Sequence, residues 1–127
     1  MKKTNVLIVD AGLGNVGSVR ASIRRFNCDS ECEKIPPNKE KSDDFTHVIL
    51  PGVGSFKAGM DALNSSGWSA WIKKYVKEKN KPLLGICLGM QLLASEGYEG
   101  MDEGCPIKGL NLIEGNVKRI ETNPKLV

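Results

Sequence analysis

Cys87 is the residue of this sequence best placed for covalent chemistry. It stands in a G-x-C-x-G pattern at residues 85–89, directly after two leucines. Between a strand and a helix, such a pattern is typical of a nucleophile elbow, a strained turn that pushes one side chain above a parallel sheet. There the helix dipole would stabilise the Cys87 thiolate, and the Leu88 N–H would point at a substrate carbonyl oxygen. The pattern therefore predicts acyl transfer, with a buried cysteine between two packing glycines as the alternative.

A second stretch could stabilise negative charge. Residues 45–50 are apolar enough to predict a buried strand, and the strand runs into Pro51-Gly52-Val53-Gly54-Ser55. Proline and glycine predict unusual backbone dihedrals, and exposed N–H groups in such a loop can face a developing oxyanion, although a simple strand-to-helix turn would look the same. His47, the single histidine, lies inside this predicted strand. It is expected to be a core or supporting residue rather than a catalytic base.

A third glycine-rich stretch suggests a different function. Residues 12–17 spell G-x-G-x-x-G between an apolar run and an amphipathic segment, and three acidic residues follow between positions 29 and 33. This order imitates the fingerprint of a dinucleotide-binding unit. The fingerprint requires an acidic residue at the end of a clean second strand, however, and residues 28–35 alternate only weakly before reaching Pro36. A nicotinamide-binding module is kept as the rival hypothesis because of the glycine pattern, and the weak second strand counts against it.

The elements that must position these turns follow from apolar patterns. Residues 5–10 form a continuous aliphatic run, which predicts the first, central strand of a parallel sheet. The helix after residues 12–17 is predicted to bury Val19, Ile23 and Phe26. Helices are also predicted at residues 58–63 and 68–79. The second of these carries an apolar stripe expected in the core: Trp68, Trp71, Ile72, Tyr75 and Val76.

The remaining segments predict connections and short strands. Residues 38–44 are polar and predict a surface excursion, residues 90–94 a helix, and residues 95–105 a glycine-rich, acidic loop. Residues 110–120 predict two short strands with a turn or bulge at residues 114–115. Strands alternating with helices predict a single α/β domain over residues 1–127 with a mainly parallel sheet. All three special turns would then lie at the carboxyl edge of that sheet, where ligands bind.

Composition narrows the class of protein. The 127 residues are 40% hydrophobic with a net charge of +3, which suits one modest core. The basic residues are dispersed, and the lysines at residues 73–79 are interpreted as a solvated helix face rather than a nucleic-acid surface. The N-terminal apolar run is too short for a signal sequence, and no stretch predicts a membrane span. The four cysteines are expected to be free thiols, and the presence of a single histidine argues against a zinc site.

Taken together, the motifs resemble those of the class I, triad-type glutamine amidotransferases. The likeness extends over essentially the whole chain and keeps the order and spacing of the family motifs, and it is strongest to the glutaminase subunit of imidazole glycerol phosphate synthase. The residues that carry it are Asp10-x-Gly12-x-Gly14-Asn15 with Ser18-Val19, Pro51-Gly52-Val53-Gly54, residues 85–91 (GICLGMQ), and Gly109-Leu110-x-Leu112-Ile113-x-Gly115. The resemblance implies a flavodoxin-like fold with three α/β/α layers, here expected to be incomplete at its C-terminal end.

The resemblance also implies roles for individual residues. Cys87 would attack the side-chain amide of L-glutamine, release ammonia and form a glutamyl thioester that water hydrolyses. Leu88 N–H and an N–H of the loop at Gly52 and Val53 would form the oxyanion hole. The substrate pocket would include the three residues Gly54, Gln91 and Glu99. No metal and no organic cofactor is implied.

A partner is implied as well. Family members of this kind work in the cytoplasm as heterodimers with a (β/α)8-barrel synthase subunit, which uses the ammonia to make imidazole glycerol phosphate in histidine biosynthesis. Neither nucleic acid nor membrane is an expected partner. Ala11 and Gly17 depart from the residues usual in that subunit, so a sister glutaminase supplying a sugar-modifying partner stays open.

The triad itself is incomplete in these 127 residues. The family completes it with a histidine and a glutamate, two residues apart and well downstream of the cysteine, and no such pair follows Cys87. We therefore expect negligible glutamine hydrolysis by the 127-residue chain alone, together with an exposed apolar sheet edge. A non-catalytic interaction domain on the same scaffold is the remaining alternative.

Overall fold

The computed structural model describes residues 3–122 and 125. Its main sheet has four strands, β1 (Asn5–Val9), β2 (Asp29–Glu33), β3 (His47–Gly52) and β4 (Leu83–Cys87), in the order β2-β1-β3-β4. Every pairing in this sheet is parallel. The predicted α/β class, with β1 as an inner strand, is confirmed, and the carboxyl ends of all four strands lie at one edge.

Helices connect these strands. They are α1 (Val16–Arg24), α2 (Lys39–Asp44), α3 (Phe56–Ser65), α4 (Trp68–Lys77) and α5 (Leu88–Gln91). The core forms where α3, α4 and α5 cover one face of the sheet, and its largest fully buried side chains are Trp68, Tyr75, Phe45 and Phe56. The predicted stripe on α4 is confirmed, since Ile72 is also buried and Trp71 and Val76 pack against the core.

A second, three-stranded sheet follows α5. It contains β5 (Ala94–Gly97), β6 (Ile107–Lys108) and β7 (Ile113–Val117) in the order β6-β5-β7. β5 pairs antiparallel with β6 and parallel with β7. The β5–β7 register shifts between Ala94 and Glu96, and Gly115 has φ +144° at the extra residue, so the bulge predicted at residues 114–115 is confirmed.

Several predicted elements are wrong. The polar stretch at residues 38–44 lies mostly at the surface, as predicted, but it contains the unpredicted helix α2, which Asn38 caps by accepting a hydrogen bond from the Lys41 N–H. Residues 95–105 begin in strand β5 rather than in a loop, and residues 110–120 contain one bulged strand, Ile113–Val117, rather than two. The helix after Cys87 is shorter than predicted, because it ends at Gln91 and Ala94 already belongs to β5.

Two further corrections concern strand β2 and the turn that precedes it. Residues 29–33 form a full strand, paired with β1 at all five positions despite their polar sequence. The side chain of Phe26 is 77% exposed rather than buried, because α1 ends at Arg24 and the chain turns at Asn27, where φ is +55°. Backbone pairing with a strongly apolar neighbour therefore decides this region more than its own pattern does.

One face of the main sheet is left partly open beside its edge strand. β4 pairs only with β3 among the described strands, and Leu84 and Ile86 are exposed on it. Together with the half-buried Ile49 of β3, they form an apolar surface facing α1. The expected apolar edge is therefore present in the described residues.

Candidate active site

The predicted elbow is present at the junction of β4 and α5. Cys87 is the last residue of the strand and Leu88 the first of the helix, and Cys87 adopts φ +55° and ψ −119°. This conformation is sterically unfavourable for a cysteine. It persists only where the surrounding structure holds the backbone in place. The Cys87 side chain is exposed, whereas Leu88 is buried in the core. The packing of Leu88 thus maintains the strained turn, and the turn leaves the Cys87 thiol exposed.

The two glycines of the pattern make this turn possible. A methyl group on Gly89 would lie 1.7 Å from the Leu50 carbonyl oxygen, and one on Gly85 would lie 2.5 Å from the Met90 Cα. Both distances are far inside van der Waals contact. Only glycine therefore lets α5 turn back onto β4 and pack against β3.

The three special turns meet at the carboxyl edge, as expected. The Val53 N–H donates a hydrogen bond to the Leu13 carbonyl, which ties the loop after β3 to the turn after β1. Gly52 pairs in register with Cys87, and a methyl group on Gly52 would lie only 3.1 Å from the Gly89 nitrogen. The last residue of β3, at which this loop begins, is thus in direct contact with the elbow.

The candidate oxyanion donors differ in availability. Leu88 is the first residue of α5, and N–H groups in the first turn of a helix have no acceptor within the helix. The Val53 N–H is already engaged by Leu13. Gly54 has φ +115° and is exposed, as expected of a loop with unusual dihedrals. Val53 could therefore act as the second donor only by giving up its present acceptor, the Leu13 carbonyl.

Two predicted substrate residues lie in one cavity. Gln91 and Glu99 both line a space of about 560 Å³ beside the elbow helix, together with Tyr98, Met101, Val117, Lys118 and Arg119. Cys87 and Gly54 are not among its lining residues. The cavity combines a carboxylate, an amide and two cations, which are the groups needed to hold both ends of an amino-acid zwitterion.

Sequence reasoning missed Lys118 and Arg119. They follow β7, which reaches the cavity only because it pairs with β5 over a distance of about 20 residues along the chain. Two adjacent cations after a predicted strand were the only available signal, and no local pattern connects them with Gln91. Long-range pairing assembles this part of the site.

His47 is not part of this site. It is exposed at the first residue of β3, whereas Cys87 is paired with Gly52 at the last, so the two residues lie at opposite ends of the sheet. Five strand steps of ~3.3 Å separate these levels by roughly 16 Å. Its Nδ1 lies 2.8 Å from the Thr46 hydroxyl. The expected core or supporting position of His47 is wrong, because the strand begins at this residue and its side chain faces solvent.

The other cysteines have different environments. Cys105 is exposed, Cys28 and Cys32 are half-buried, and all four cysteines are free thiols. Burial raises the pKa of Cys32, an effect that the nearby Arg20 partly offsets. Within residues 3–122 and 125, no three metal-binding side chains cluster to hold an ion, and no helix is long and apolar enough to span a bilayer.

The turn at residues 12–17, which imitates a dinucleotide fingerprint, makes its hydrogen bonds within the protein. The Leu13 carbonyl receives the Val53 N–H, and the Asn15 side chain caps α1 by accepting from the Ser18 N–H. A pyrophosphate would need the N–H groups at that helix start. This turn therefore serves the neighbouring loop rather than an open nucleotide site.

Comparison with known proteins identifies the family. The sequence model of the family described as glutamine amidotransferase class-I matches residues 7–121. The chain belongs to the class I glutamine amidotransferases. This match includes the elbow, the loop after β3 and the cavity beside α5.

The curated relatives are more specific. The chain is 57% identical over 112 residues to imidazole glycerol phosphate synthase subunit HisH 1 of Prochlorococcus marinus (strain MIT 9313), covering 88% of this chain and 51% of that protein. It is 45% identical to the HisH subunit of Halalkalibacterium halodurans, covering 88% and 49%. The chain thus spans about half the length of the curated relatives it matches.

Solved structures support the fold. A glutamine amidotransferase structure superposes with a TM-score of 0.67 at 24% identity, covering 89% of this chain and 56% of that one. A putative peptidase E from Listeria monocytogenes gives the same TM-score at 13% identity, covering 89% and 65%. The flavodoxin-like α/β architecture expected from the sequence is confirmed.

Proposed function

We propose that this chain carries the nucleophile of a glutaminase that hydrolyses L-glutamine to glutamate and ammonia. The observation that carries the proposal is the geometry of Cys87: an exposed thiol at φ +55°, held at a strand-to-helix turn by two glycines that admit no side chain. Membership of the glutamine amidotransferase family supplies the substrate class. Residues 1–127 would form part of one amidotransferase domain.

The reaction proceeds in two steps. The Cys87 thiolate forms a bond to the side-chain amide carbon of glutamine, and the C–N bond then breaks with transfer of a proton to the nitrogen, which leaves as ammonia. Water next attacks the thioester, and the C–S bond breaks to give glutamate and the free thiol. A histidine and a glutamate, as in a Cys-His-Glu triad, would supply the general base. His47 cannot be this histidine, because it lies at the opposite end of the sheet from Cys87.

Charge on the carbonyl oxygen would be stabilised by backbone N–H groups. The Leu88 N–H is the first donor, and Gly52 and Val53 offer the second. Where Val53 is the second donor, the hydrogen bond from its N–H to the Leu13 carbonyl must be released before the hole is complete. Each such donor contributes roughly 3 kcal/mol to transition-state stabilisation.

The cavity beside α5 would hold the amino-acid part of the substrate. Glu99 carries the charge to receive the α-ammonium group, and Lys118 and Arg119 carry the charges to receive the α-carboxylate. Gln91 lies one helical turn after the nucleophile and would lie against the glutamine side chain. Gly54 does not line this cavity, and its place in the loop after β3 would put it nearer to the reacting amide instead.

The ammonia acceptor is proposed from the relatives. Their names describe subunits of imidazole glycerol phosphate synthase, and a fused plant protein named hisHF is 37% identical over 118 residues, covering 93% of this chain and 19% of that protein. We therefore propose a cytoplasmic heterodimer with a (β/α)8-barrel synthase subunit, in histidine biosynthesis. These names favour this acceptor over a sugar-modifying partner.

The test compares two exposed cysteines. Ammonia release from glutamine is measured on the native gene product purified with its barrel partner, as wild type, Cys87→Ala and Cys105→Ala. Loss of activity in Cys87→Ala alone supports the proposal. Retained glutamine hydrolysis by Cys87→Ala would overturn it and favour an interaction domain without chemistry.

A further inference from the structure

The first turn of α3 connects the loop after β3 with the cavity beside α5. Phe56 and Lys57 are the first two residues of this helix, and N–H groups in a first turn have no acceptor within the helix. The Lys57 N–H instead donates a hydrogen bond at 3.1 Å to the carbonyl of Glu99, which lines the cavity. The backbone of α3 is thus joined directly to a residue of the proposed substrate pocket.

Phe56 fixes the end of β5 against the same helix. Its side chain is fully buried, and a methyl group on Gly97, the last residue of β5, would overlap the Phe56 ring. Only a residue without a side chain lets β5 approach α3 this closely. Because Glu99 lies two residues after Gly97, the packing of Phe56 on Gly97 also limits where Glu99 can lie.

Gly100 allows the turn at residues 98–101 to lie against α3. It has φ +80°, and a methyl group there would lie 3.0 Å from Lys57 Cβ and 3.2 Å from Ser55 Oγ. Neither neighbour moves freely, because Lys57 Cβ is fixed by the helix backbone and Ser55 Oγ caps α3 by accepting from the Ala58 N–H. A side chain at Gly100 would therefore push this turn away from the helix.

The contact with α3 leaves the Glu99 carboxylate available. Glu99 is exposed, and its side chain forms no ion pair within residues 3–122 and 125. Lys57, whose backbone binds Glu99, has its own ammonium group paired with Asp61 at 2.7 Å. The helix therefore holds the Glu99 backbone in place without neutralising the carboxylate, as the receptor of an α-ammonium group requires.

We propose that Gly100 is a positioning residue of the glutaminase, which places the Glu99 carboxylate against the α-ammonium group of L-glutamine. This inference rests on the proposed function. Because the α-ammonium group keeps its charge throughout the reaction, its contact with Glu99 contributes equally to substrate binding and to the transition state. Displacing Glu99 should therefore raise KM and leave kcat unchanged.

The experiment measures ammonia release from glutamine by the native gene product purified with its barrel partner. Gly100→Ala should raise KM about fivefold with kcat unchanged. Gly104→Ala is the matched control, because Gly104 lies in the same exposed stretch between β5 and β6, has φ +75°, and would place its methyl group with no atom within 4 Å. Since both substitutions impose a similar backbone strain, only the contact with α3 distinguishes them. Equal KM values in the two variants would overturn the proposal.

A second pair of variants covers loss of folding. Circular dichroism verifies that each protein is folded. If Gly100→Ala does not fold, Gly100→Asn is compared with Gly104→Asn, since asparagine adopts a positive φ more readily than alanine and carries the same Cβ. The same fivefold difference in KM is expected, and equal values would again overturn the proposal.

A double variant shows whether Gly100 acts through Glu99. Glu99→Gln removes the charge and should raise KM at least about tenfold. Adding Gly100→Ala to it should raise KM no further, whereas a merely structural defect would multiply the two effects. An unchanged KM in Glu99→Gln, or a further fivefold rise in the double variant, would overturn the inference while Cys87-dependent ammonia release still supports the glutaminase. Ammonia release retained in Cys87→Ala would overturn the glutaminase and this inference with it.

Discussion

The substitution Gly89→Ala is the most severe test of the close packing at the elbow. The added methyl group would lie 1.7 Å from the Leu50 carbonyl oxygen, and such contacts do not occur below 3.0 Å, so α5 must move away from β3 by about 1.3 Å. The displaced helix carries Leu88, which is fully packed in the core. Overpacking against backbone, which cannot rotate away, should cost about 3 kcal/mol or more.

The assay is urea unfolding followed by circular dichroism. With a slope of roughly 1–3 kcal/mol per molar urea, that cost lowers the midpoint by about 1–3 M. Gly17→Ala is the matched control, because Gly17 is an exposed position in α1 whose added methyl group would meet only the Asn15 side-chain oxygen, at 3.3 Å. Replacing this helical glycine should change stability by no more than ~1 kcal/mol in either direction, because the helix gains from alanine while the methyl group crowds the Asn15 oxygen that caps α1. A Gly89→Ala midpoint equal to that of Gly17→Ala would refute the packing argument.

Further predictions concern reactivity, pH and association. The 127-residue chain alone should release no detectable ammonia from glutamine, because its single histidine lies roughly 16 Å from the level of Cys87 along the sheet; measurable turnover would contradict this. Alkylation by iodoacetamide, mapped by peptide mass spectrometry, should modify Cys87 and Cys105 before Cys32, whose raised pKa and partial burial reduce its thiolate fraction; an equal rate at Cys32 would argue against that environment. Burial raises the pKa of Tyr75 to about 12, above its unfolded value near 10, so its contribution to stability is complete below about pH 10 and is lost as pH rises toward 12. Alkaline unfolding curves should show this loss in wild type and less of it in Tyr75→Phe. The exposed apolar edge strand β4 should let the chain self-associate in analytical ultracentrifugation, and Leu84→Lys should reduce that association with little change in the unfolding midpoint. A large loss of stability would mean that Leu84 is buried in the core.

Local patterns predicted the parts of this molecule in which a few neighbouring residues dictate the backbone. The elbow follows from two glycines that flank one cysteine, and the core face of α4 follows from helical spacing of large apolar residues. β2 was not recognisable, since its sequence DSECE acquires strand structure by pairing with β1. The exposure of His47 depended on the exact residue at which β3 begins.

The candidate site likewise has a part that local sequence predicted and a part that depends on long-range pairing. Cys87 and Leu88 are adjacent in sequence, and the glycine pattern alone placed them. The cavity that contains Gln91 and Glu99 also needs Lys118 and Arg119, which arrive through the pairing of β5 with a bulged β7. Engagement of the Val53 N–H by Leu13 joins two distant turns, and no local pattern could indicate it.

The most direct test of the central claim is site-selective labelling by a chloroketone analogue of glutamine. This reagent carries the amino-acid group of the substrate and alkylates a thiolate, so it reports recognition and nucleophilicity together. Cys105 is also exposed and serves as the internal control. The account predicts that peptide mass spectrometry finds the label on Cys87 well ahead of Cys105, and that L-glutamine slows labelling at Cys87 alone. Equal labelling of both cysteines, with no protection by glutamine, would contradict the assignment of Cys87 as the nucleophile of a glutamine site.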